Sequence, residues 1–477
     1  MRYLLPLAIA AAASLQAAAL DVTSEAGQLR GAVGTSTDAA ELRVSGSVDA
    51  ADLMFIHSEM TSLKSLDLSG ATLAAYEGEA LLNSVSSSPA GVIPPAAFLG
   101  MKIAEFSFPK NTTAIGEGAF AATSLASVAV PEGVTSIGNS AFADSPELSA
   151  VSLPASAVKL GTGLFRGCGK LASVSFKGNI AEIPPLAFSG CRSLESFAIP
   201  SSVRVIGEKA FAGSGLKVVA VNDIDSIAPW AFTGCASLGE VTFSGSMPRA
   251  IGEGAFFRDA AAEVAAGELL KSLETIPAHA FTGVKSVSGL ADGTAAAFSE
   301  VGDYALAYTS VGPSVAFPST MREVGKSAFA NWTGTRYIDA ADLTELPEIG
   351  DDIFGTLDKG NTTLYVSRDM LDAFRDAPQW KDFNIEARTS GETGVALPDT
   401  PSGAEVRGWF EGAVLRVSAT SEISAVELFD IGGLRLAFLP ASGTLDFSVD
   451  TAPFASRAYI VRVNLGPDTV KLLKVAR

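Results

Sequence analysis

The sequence contains few residues of the kinds that carry out catalysis. Its 477 residues include two histidines, His57 and His279, and neither has a patterned acidic or nucleophilic neighbour. A general base needs a positioned partner, so the sequence argues against a histidine-based active site. No Gly-x-Ser-x-Gly elbow stands between a strand and a helix. We therefore predict no catalytic residues, no cofactor and no metal site.

Cysteine is equally scarce, with three residues in the chain. Cys168, Cys191 and Cys235 each lie three residues after a phenylalanine of a repeated phrase described below. Equivalent places in stacked repeats have similar orientations, which does not suit disulfide geometry, and the spacing is not that of metal ligands. We expect three buried free thiols that act as small apolar residues.

Basic residues and long apolar runs are also in short supply. The chain has 34 Lys and Arg against 52 Asp and Glu, a net charge of −18, and no basic stripe. This balance argues against a nucleic-acid partner. Residues 1–19 join Arg2 to a short apolar run and small residues, which is typical of a secretory signal peptide. No later run is long enough for a transmembrane segment, so we expect an exported chain.

What the sequence has in abundance is repetition. Between residues 93 and 354 a six-residue phrase recurs twelve times, as in Ile115-Gly116-Glu117-Gly118-Ala119-Phe120. The first position is always aliphatic, and the sixth is Phe in every copy except the one that ends at Leu306. Successive copies are 21 to 25 residues apart, a period that indicates a solenoid. The phrase should form a tight turn, and its Ala-Phe end should begin a short helical or irregular stretch, with the phenylalanines stacked in the core.

An extended run precedes most copies of the phrase, with Leu-x-x-apolar-x-apolar spacing, as in residues 125–131 and 194–200. This spacing predicts a strand with Leu and alternate residues facing inward. The fold class is therefore a leucine-rich repeat solenoid, mostly β with short helical or irregular turns. Residues 256–276 depart from the pattern, and 259–266 suggest an extra helical turn or two.

The outward strand positions are the candidate ligand-binding face. They hold small or polar residues, and we assign to this face Ser127, Ala129, Ser173, Ser175, Ser196, Ala198, Glu240 and Thr242. An extended partner could lie along such a face, or the small residues could merely keep it soluble. No aromatic or Arg cluster stands out on it at the sequence level.

The repeats resemble the Bacteroides surface protein A (BspA)-like leucine-rich repeat family. The twelve phrases carry the resemblance, with an entry segment at 42–52 and 63–71 and an exit segment at 364–383. On this basis 20–92 is an N-terminal capping and first-repeat region, and 93–387 is the repeat array with its C-terminal cap.

The last part of the chain changes character. Residues 388–402 are rich in Gly, Pro, Ser and Thr and read as a linker, and 403–477 alternate like the strands of a small β-sandwich. The segments at 429–433, 459–463 and 471–475 resemble the C-terminal sorting domain of the type IX secretion route of Bacteroidetes. A plain immunoglobulin-like end module that is never cleaved is the alternative.

The BspA resemblance implies a cell-surface or secreted protein that adheres to host or bacterial macromolecules. The expected partner is an extracellular or cell-surface protein or a glycan, and we expect the chain to be monomeric. The alternative function is capture of glycans or nutrients beside outer-membrane uptake machinery.

Overall fold

The computed structural model describes residues 19–81, 84–290, 297–388, 406–411, 414–430, 435–451, 458–465 and 470–476. The chain divides into two units, Met1–Thr393 and Gly394–Arg477. The division falls inside the predicted linker. That linker beyond residue 388, and the predicted signal peptide up to residue 18, lie outside the described residues.

The first unit is a solenoid of about 16 turns, and parallel strands form its main ladder. The strands are in register, so that Val151, for example, is flanked by Val128 and Val174. Alternate residues point inward, which confirms the leucine-rich repeat spacing as the basis of the core. In the described part of the chain the strands of this ladder are Leu20–Ser24, Glu41–Val48, Ser65–Leu73, Glu105–Ser107, Ser127–Ala129, Ala150–Leu153, Ser173–Phe176, Val218–Asn222, Glu240–Ser244, Glu263–Ala265, Ser286–Ser288, Ser314–Ala316, Tyr337–Ala340, Thr363–Ser367 and Asn384–Arg388.

A second ladder runs along the array and contains one two-residue strand for each repeated phrase. Each strand ends at the aliphatic first position, and the strands pair in parallel within three successive four-stranded sheets. The repeat registers read from the sequence are therefore confirmed. The strands are Val92–Ile93, Ala114–Ile115, Ser136–Ile137, Lys159–Leu160, Glu182–Ile183, Val205–Ile206, Ser226–Ile227, Ala250–Ile251, Thr275–Ile276, Glu300–Val301, Glu323–Val324 and Glu348–Ile349.

The turn after each of these strands has a fixed backbone form. The fourth position of all twelve phrases has a positive φ, from 49° at Asp352 to 66° at Gly163. The second position is often Gly for a different reason: a Cβ on Gly116 would lie 2.5 Å from the backbone nitrogen of Pro95 in the coil before it. The Ala-Phe end continues as turns, so the helical alternative for this stretch is wrong. Repeated left-handed residues prevent a helix from forming there.

The sixth-position phenylalanines stack through the core, as predicted. From Phe98 to Phe281 nine rings form one column, with successive centroids 5.1 to 5.8 Å apart and planes within 23° of parallel. Leu306 ends the column, and Phe329 and Phe354 pack together beyond it at 5.8 Å. Each ring is almost completely buried. The column joins successive coils into one hydrophobic core.

Helices are few and short in the described residues. The longest, Ala50–Glu59, begins with a capping box formed by Asp49 and Asp52. Asp52 also accepts hydrogen bonds from Gly27 N and Leu29 N, which fastens the entry segment to this helix. The other α-helices are Leu29–Val33, Gly267–Ser272 and Leu371–Asp376, with 3₁₀ turns at Lys359–Asn361 and Arg368–Met370 and a small hairpin of Tyr76–Glu77 and Ser87–Ser88.

The helix predicted within 259–266 is wrong in position. Residues Glu263–Ala265 form a strand of the main ladder, and the helix follows at Gly267–Ser272. Val264 points inward and is buried between the neighbouring strands. Burial of this side chain therefore outweighs the helical preference of an Ala-rich segment.

The strand predicted at 194–200 is also absent as a paired strand. The main ladder stops at Phe176 and resumes at Val218, and it is also interrupted between Ser107 and Ser127 and between Ser288 and Ser314. The second ladder breaks between Leu160 and Glu182 and between Ile251 and Thr275. Phe197 occupies the inward position where the flanking coils carry Val, and its ring packs on Phe211 at 5.2 Å.

The second unit is an antiparallel sheet. Val414–Asp430 is its central strand: it pairs with Arg435–Asp450 on one side, and on the other with Val406–Glu411 and then Ala458–Asn464. Val470–Ala476 completes the sheet. The strands predicted at 459–463 and 471–475 are confirmed, and 431–434 lie outside the described residues. All five strands in the described part of this unit belong to one sheet, so the predicted two-sheet sandwich is not confirmed.

Candidate binding surface

The predicted face is where the alternation of the strands puts it. Seven of its eight residues are exposed, and the eighth, Thr242, is half-buried. Ser127 and Ser173 lie on the two strands that flank the strand of Ala150, and both are in register with Ala150. Ser196 and Ala198 are exposed in the unpaired segment. That these residues bind a partner remains a prediction.

An open depression of about 500 Å³ lies on the same face, further along the array. Glu240 is the predicted residue in its lining, which also includes Lys217, Val218, Glu263, Ala265 and Ser288. Sequence reasoning missed these five residues. The available signal was their place on outward positions of the Glu240 strand and its neighbours, among them the exposed aliphatic Val218.

Charge alternates around the depression. Lys217 Nζ is 2.6 Å from Glu195 Oε2, and Lys285 forms an ion pair with Glu263. Glu240 and Glu263 are register neighbours on adjacent strands, which concentrates negative charge at the floor. The depression therefore offers charged side chains together with three apolar ones, Val218, Val264 and Ala265. Such a surface suits a polar chain that lies along it rather than a small enclosed ligand.

A second polar group occupies the C-terminal end of this face. The rings of Tyr337 and Tyr365 stack at 6.3 Å, and the Arg388 guanidinium lies 5.8 Å from the Tyr365 centroid. Arg388 Nη1 is 2.5 Å from Asp339 Oδ2, and burial raises the pKa of the Asp339 carboxyl, although the Arg388 charge opposes the rise. The sequence-level statement that no aromatic or Arg cluster marks this face is therefore wrong. The residues come from three strands far apart in sequence, which hid the group.

The two histidines lie apart from the face. His57 is on the helix Ala50–Glu59, and its Nδ1 is buried without a hydrogen-bond partner. His279 is at the fourth position of its phrase and stacks on Tyr304. Among the residues that the structure describes, no group of three or more His, Cys, Asp or Glu side chains is arranged to hold a metal ion.

The three cysteines are free and buried, as predicted. Their thiols donate to the phenylalanine carbonyl of the preceding coil, as Cys168 Sγ does to Phe142 O at 3.1 Å. Burial raises the thiol pKa of Cys168 and of Cys235 to about 12 and raises that of Cys191 as well. They belong to the core and not to a reactive site.

No helix in the described part of the chain combines the length and apolar character needed to cross a bilayer.

Comparison with one solved structure supports the fold. A leucine-rich repeat protein from Bacteroides ovatus ATCC 8483 matches with a TM-score of 0.51 and 20% identity, over 78% of this chain and 92% of that one. The pneumococcal vaccine antigen PcpA matches at 0.31 and 15%, over 78% and 84%. A leucine-rich cell surface protein from Faecalibacterium prausnitzii A2-165 matches at 0.25 and 18%, over 48% and 83%. No curated protein matches the chain.

The family model described as the BspA type leucine rich repeat region (6 copies) matches residues 91–217, 216–335 and 299–368. These ranges together span more than half of the chain and include the twelve phrases, the second ladder and the phenylalanine column. The chain belongs to the BspA-type leucine-rich repeat family.

Proposed function

We propose that this chain is an exported interaction protein that binds a macromolecular partner along the outward face of its main strand ladder. BspA-type repeat proteins are typically cell-surface or secreted, and repeats of this fold typically serve as non-enzymatic interaction scaffolds. The observation that carries the proposal is the open face itself, with its exposed small residues and the 500 Å³ depression at Glu240. An extended protein or glycan segment could contact several coils at once on such a face.

The test is binding of the purified mature chain to immobilised matrix proteins, mucin, glycans and whole cells. We expect saturable binding to one of these classes. A variant with Ser173→Glu, Ser175→Glu, Ser196→Glu and Ala198→Glu should lose it, because four long carboxylates would cover the face. A control variant adds Glu at Ala155, Ala181 and Ser201, exposed positions outside the strands. Uniform absence of binding by a well-folded preparation, or equal loss in the control, would contradict the proposal.

We further propose that residues 1–19 direct export and that the C-terminal unit acts as a sorting signal of the type IX kind. The support is the resemblance of the segments at 429–433, 459–463 and 471–475 to that domain class. In addition, proteins of this family are typically found at the cell surface or secreted. In a host with that secretion route, deletion of residues 403–477 should trap the chain in the periplasm. Normal surface display of the truncated chain would contradict the proposed sorting role of the C-terminal unit.

A further inference from the structure

Three large aromatic side chains stand at backbone positions that favour glycine. Trp230, His279 and Tyr304 each occupy the fourth position of a phrase, with φ of 60°, 59° and 57°. A left-handed conformation disfavours side chains with a Cβ, and other coils place Gly or Ser there, for example Gly118 and Ser140. None of the three rings is part of the hydrophobic core. Their presence is therefore not explained by the packing of the solenoid.

These rings form one surface cluster with Phe257. His279 and Tyr304 stack at 5.2 Å with planes 4° apart, while Phe257 stands edge-on to Trp230 and to His279, at 5.5 Å from each. Gly254 leaves the space for this arrangement, because a Cβ on it would lie 2.2 Å from the Trp230 ring. We call Trp230, Phe257, His279 and Tyr304 the aromatic edge. All four side chains are half-buried, so part of each is accessible.

Carboxylates border the aromatic edge. Glu253 and Asp303 precede its fourth-position row by one residue and are exposed, and their backbone carbonyls accept from Trp230 N and His279 N. Glu300 and Glu323, also exposed, are register neighbours at the start of the same turns. The chain as a whole has a net charge of −18. Arg258 and Lys326 are cations of the same region, and the Lys326 backbone N–H donates to Asp303 Oδ1 at 2.7 Å. The four carboxylates outnumber these two cations, so the surroundings favour the approach of a further cation.

The edge already accommodates one guanidinium. Arg258 lies over the Phe257 ring, 5.1 Å from its centroid, at a distance suited to a cation–π contact. Trp, Tyr and Arg are the residue types most enriched in protein-binding hot spots. Metal binding does not explain the carboxylates, since the described residues contain no group that converges on one point.

We propose that the aromatic edge binds a lysine- or arginine-bearing segment of a partner polypeptide. The cationic side chains would contact the rings and pair with Glu253 and Asp303. This site lies on the turns of the second ladder, so it goes beyond the function proposed for the main strand face and does not depend on it.

The test measures fluorescence anisotropy of a labelled arginine–serine decapeptide with the purified mature chain at 150 mM salt. The edge variant is Trp230→Gly, His279→Ser and Tyr304→Gly, which installs residue types that other coils carry at this position. Leu186→Ser is the matched control, because Leu186 has the same left-handed position in a coil without the edge. We expect the edge variant to weaken binding at least tenfold and the control to leave it unchanged.

Two further arms separate the sources of affinity. Glu253→Gln with Asp303→Asn should weaken binding and reduce its dependence on salt, and a citrulline–serine peptide should bind far more weakly than the arginine peptide. Equal binding by the edge variant, equal binding of the citrulline peptide, or no binding at all would overturn the proposal. So would preferential binding of neutral oligosaccharides to the edge. The four-glutamate variant of the main face should bind the peptide normally, so the two proposals fail separately.

Discussion

The backbone N–H of Cys235 donates to Asp259 Oδ1 at 2.7 Å, while Asp259 Oδ2 is buried and has no hydrogen-bond partner. Asp259 follows its phrase by three residues, the place that Cys235 occupies in the coil before it. Several side chains at this position donate a hydrogen bond to a backbone carbonyl oxygen of the preceding coil. They are Ser145, Cys168, Cys191, Cys235 and Trp332. A carboxylate has no proton to donate, so the neutral carboxylic acid is the form of Asp259 that fits this set of donors.

Asp259 should therefore make the array less stable as the pH rises. Burial raises its pKa from 3.8 to about 8. Because the folded pKa is higher than the unfolded one, the stabilisation is complete below about pH 4 and is lost as the pH approaches 8. Asp259→Asn should raise the free energy of unfolding at pH 8 by on the order of 2–4 kcal/mol and flatten its slope between pH 4 and 8.

Urea unfolding followed by circular dichroism at several pH values checks this prediction. The exposed Asp38→Asn variant serves as the control and should leave the slope unchanged. An Asp259→Asn variant that is less stable than the wild type at pH 8 would contradict it.

The three thiols should be inert in the folded chain. With a pKa of about 12, Cys168 and Cys235 would be thiolate in roughly one molecule in ten thousand at pH 8, and both are buried. A thiol-specific chromogenic disulfide should label none of the three cysteines until denaturant is added, and then all three. A cysteine introduced at exposed Ser193 is the positive control and should react within minutes. Fast labelling without denaturant would contradict the burial of the three cysteines.

Phe211 tests the aromatic column. Its ring is stacked between Phe188 at 5.3 Å and Phe232 at 5.4 Å. Phe211→Ala should cost about 3–5 kcal/mol, because it opens a cavity in the middle of the column. Phe211→Leu should cost much less, since Leu306 fills this position in a natural coil. Denaturant unfolding compares the two variants. Equal costs would show that an aliphatic side chain cannot replace the ring, which would contradict this prediction.

Two glycines of one phrase separate close packing from backbone strain. A Cβ on Gly116 would meet the backbone of the coil before it at 2.5 to 2.8 Å, whereas Gly118 has φ of 60° and open space around it. Gly118→Ala should cost about 1 kcal/mol from its left-handed conformation. Gly116→Ala should cost about 2–3 kcal/mol or more, because two backbones must separate. Thermal unfolding ranks the two variants, and the reverse order would refute this explanation.

The sequence was sufficient to predict the structural features that recur in every coil. It was not sufficient to predict the features that belong to a single coil. Aliphatic first positions and sixth-position phenylalanines predicted the coils, their registers and the ring column, because every copy buries its side chains at these same positions. The strand at Glu263–Ala265 was missed because its Ala-rich surroundings favour a helix locally, and the neighbouring strands decide otherwise.

The candidate sites show the same division. Alternation along the strands placed the eight outward residues on one face. Groups assembled from several coils were not predictable, because Tyr337, Tyr365 and Arg388 meet across strands and Trp230, His279 and Tyr304 meet across turns. Stacking brings these residues together at intervals set by the length of each coil, which varies from copy to copy.

The stretches in which both ladders are interrupted have a mechanical consequence for this solenoid. Layers of a solenoid carry a pull along the axis in series, so the first layer to separate is the one with the weakest links. Between Leu160 and Val218 the turn hydrogen bonds and the ring column continue, but strand pairing is missing in turn from each ladder. A second such stretch runs from Ile251 to Ser314, where the ring column also ends at Leu306. Under tension we expect the array to yield first at these two stretches.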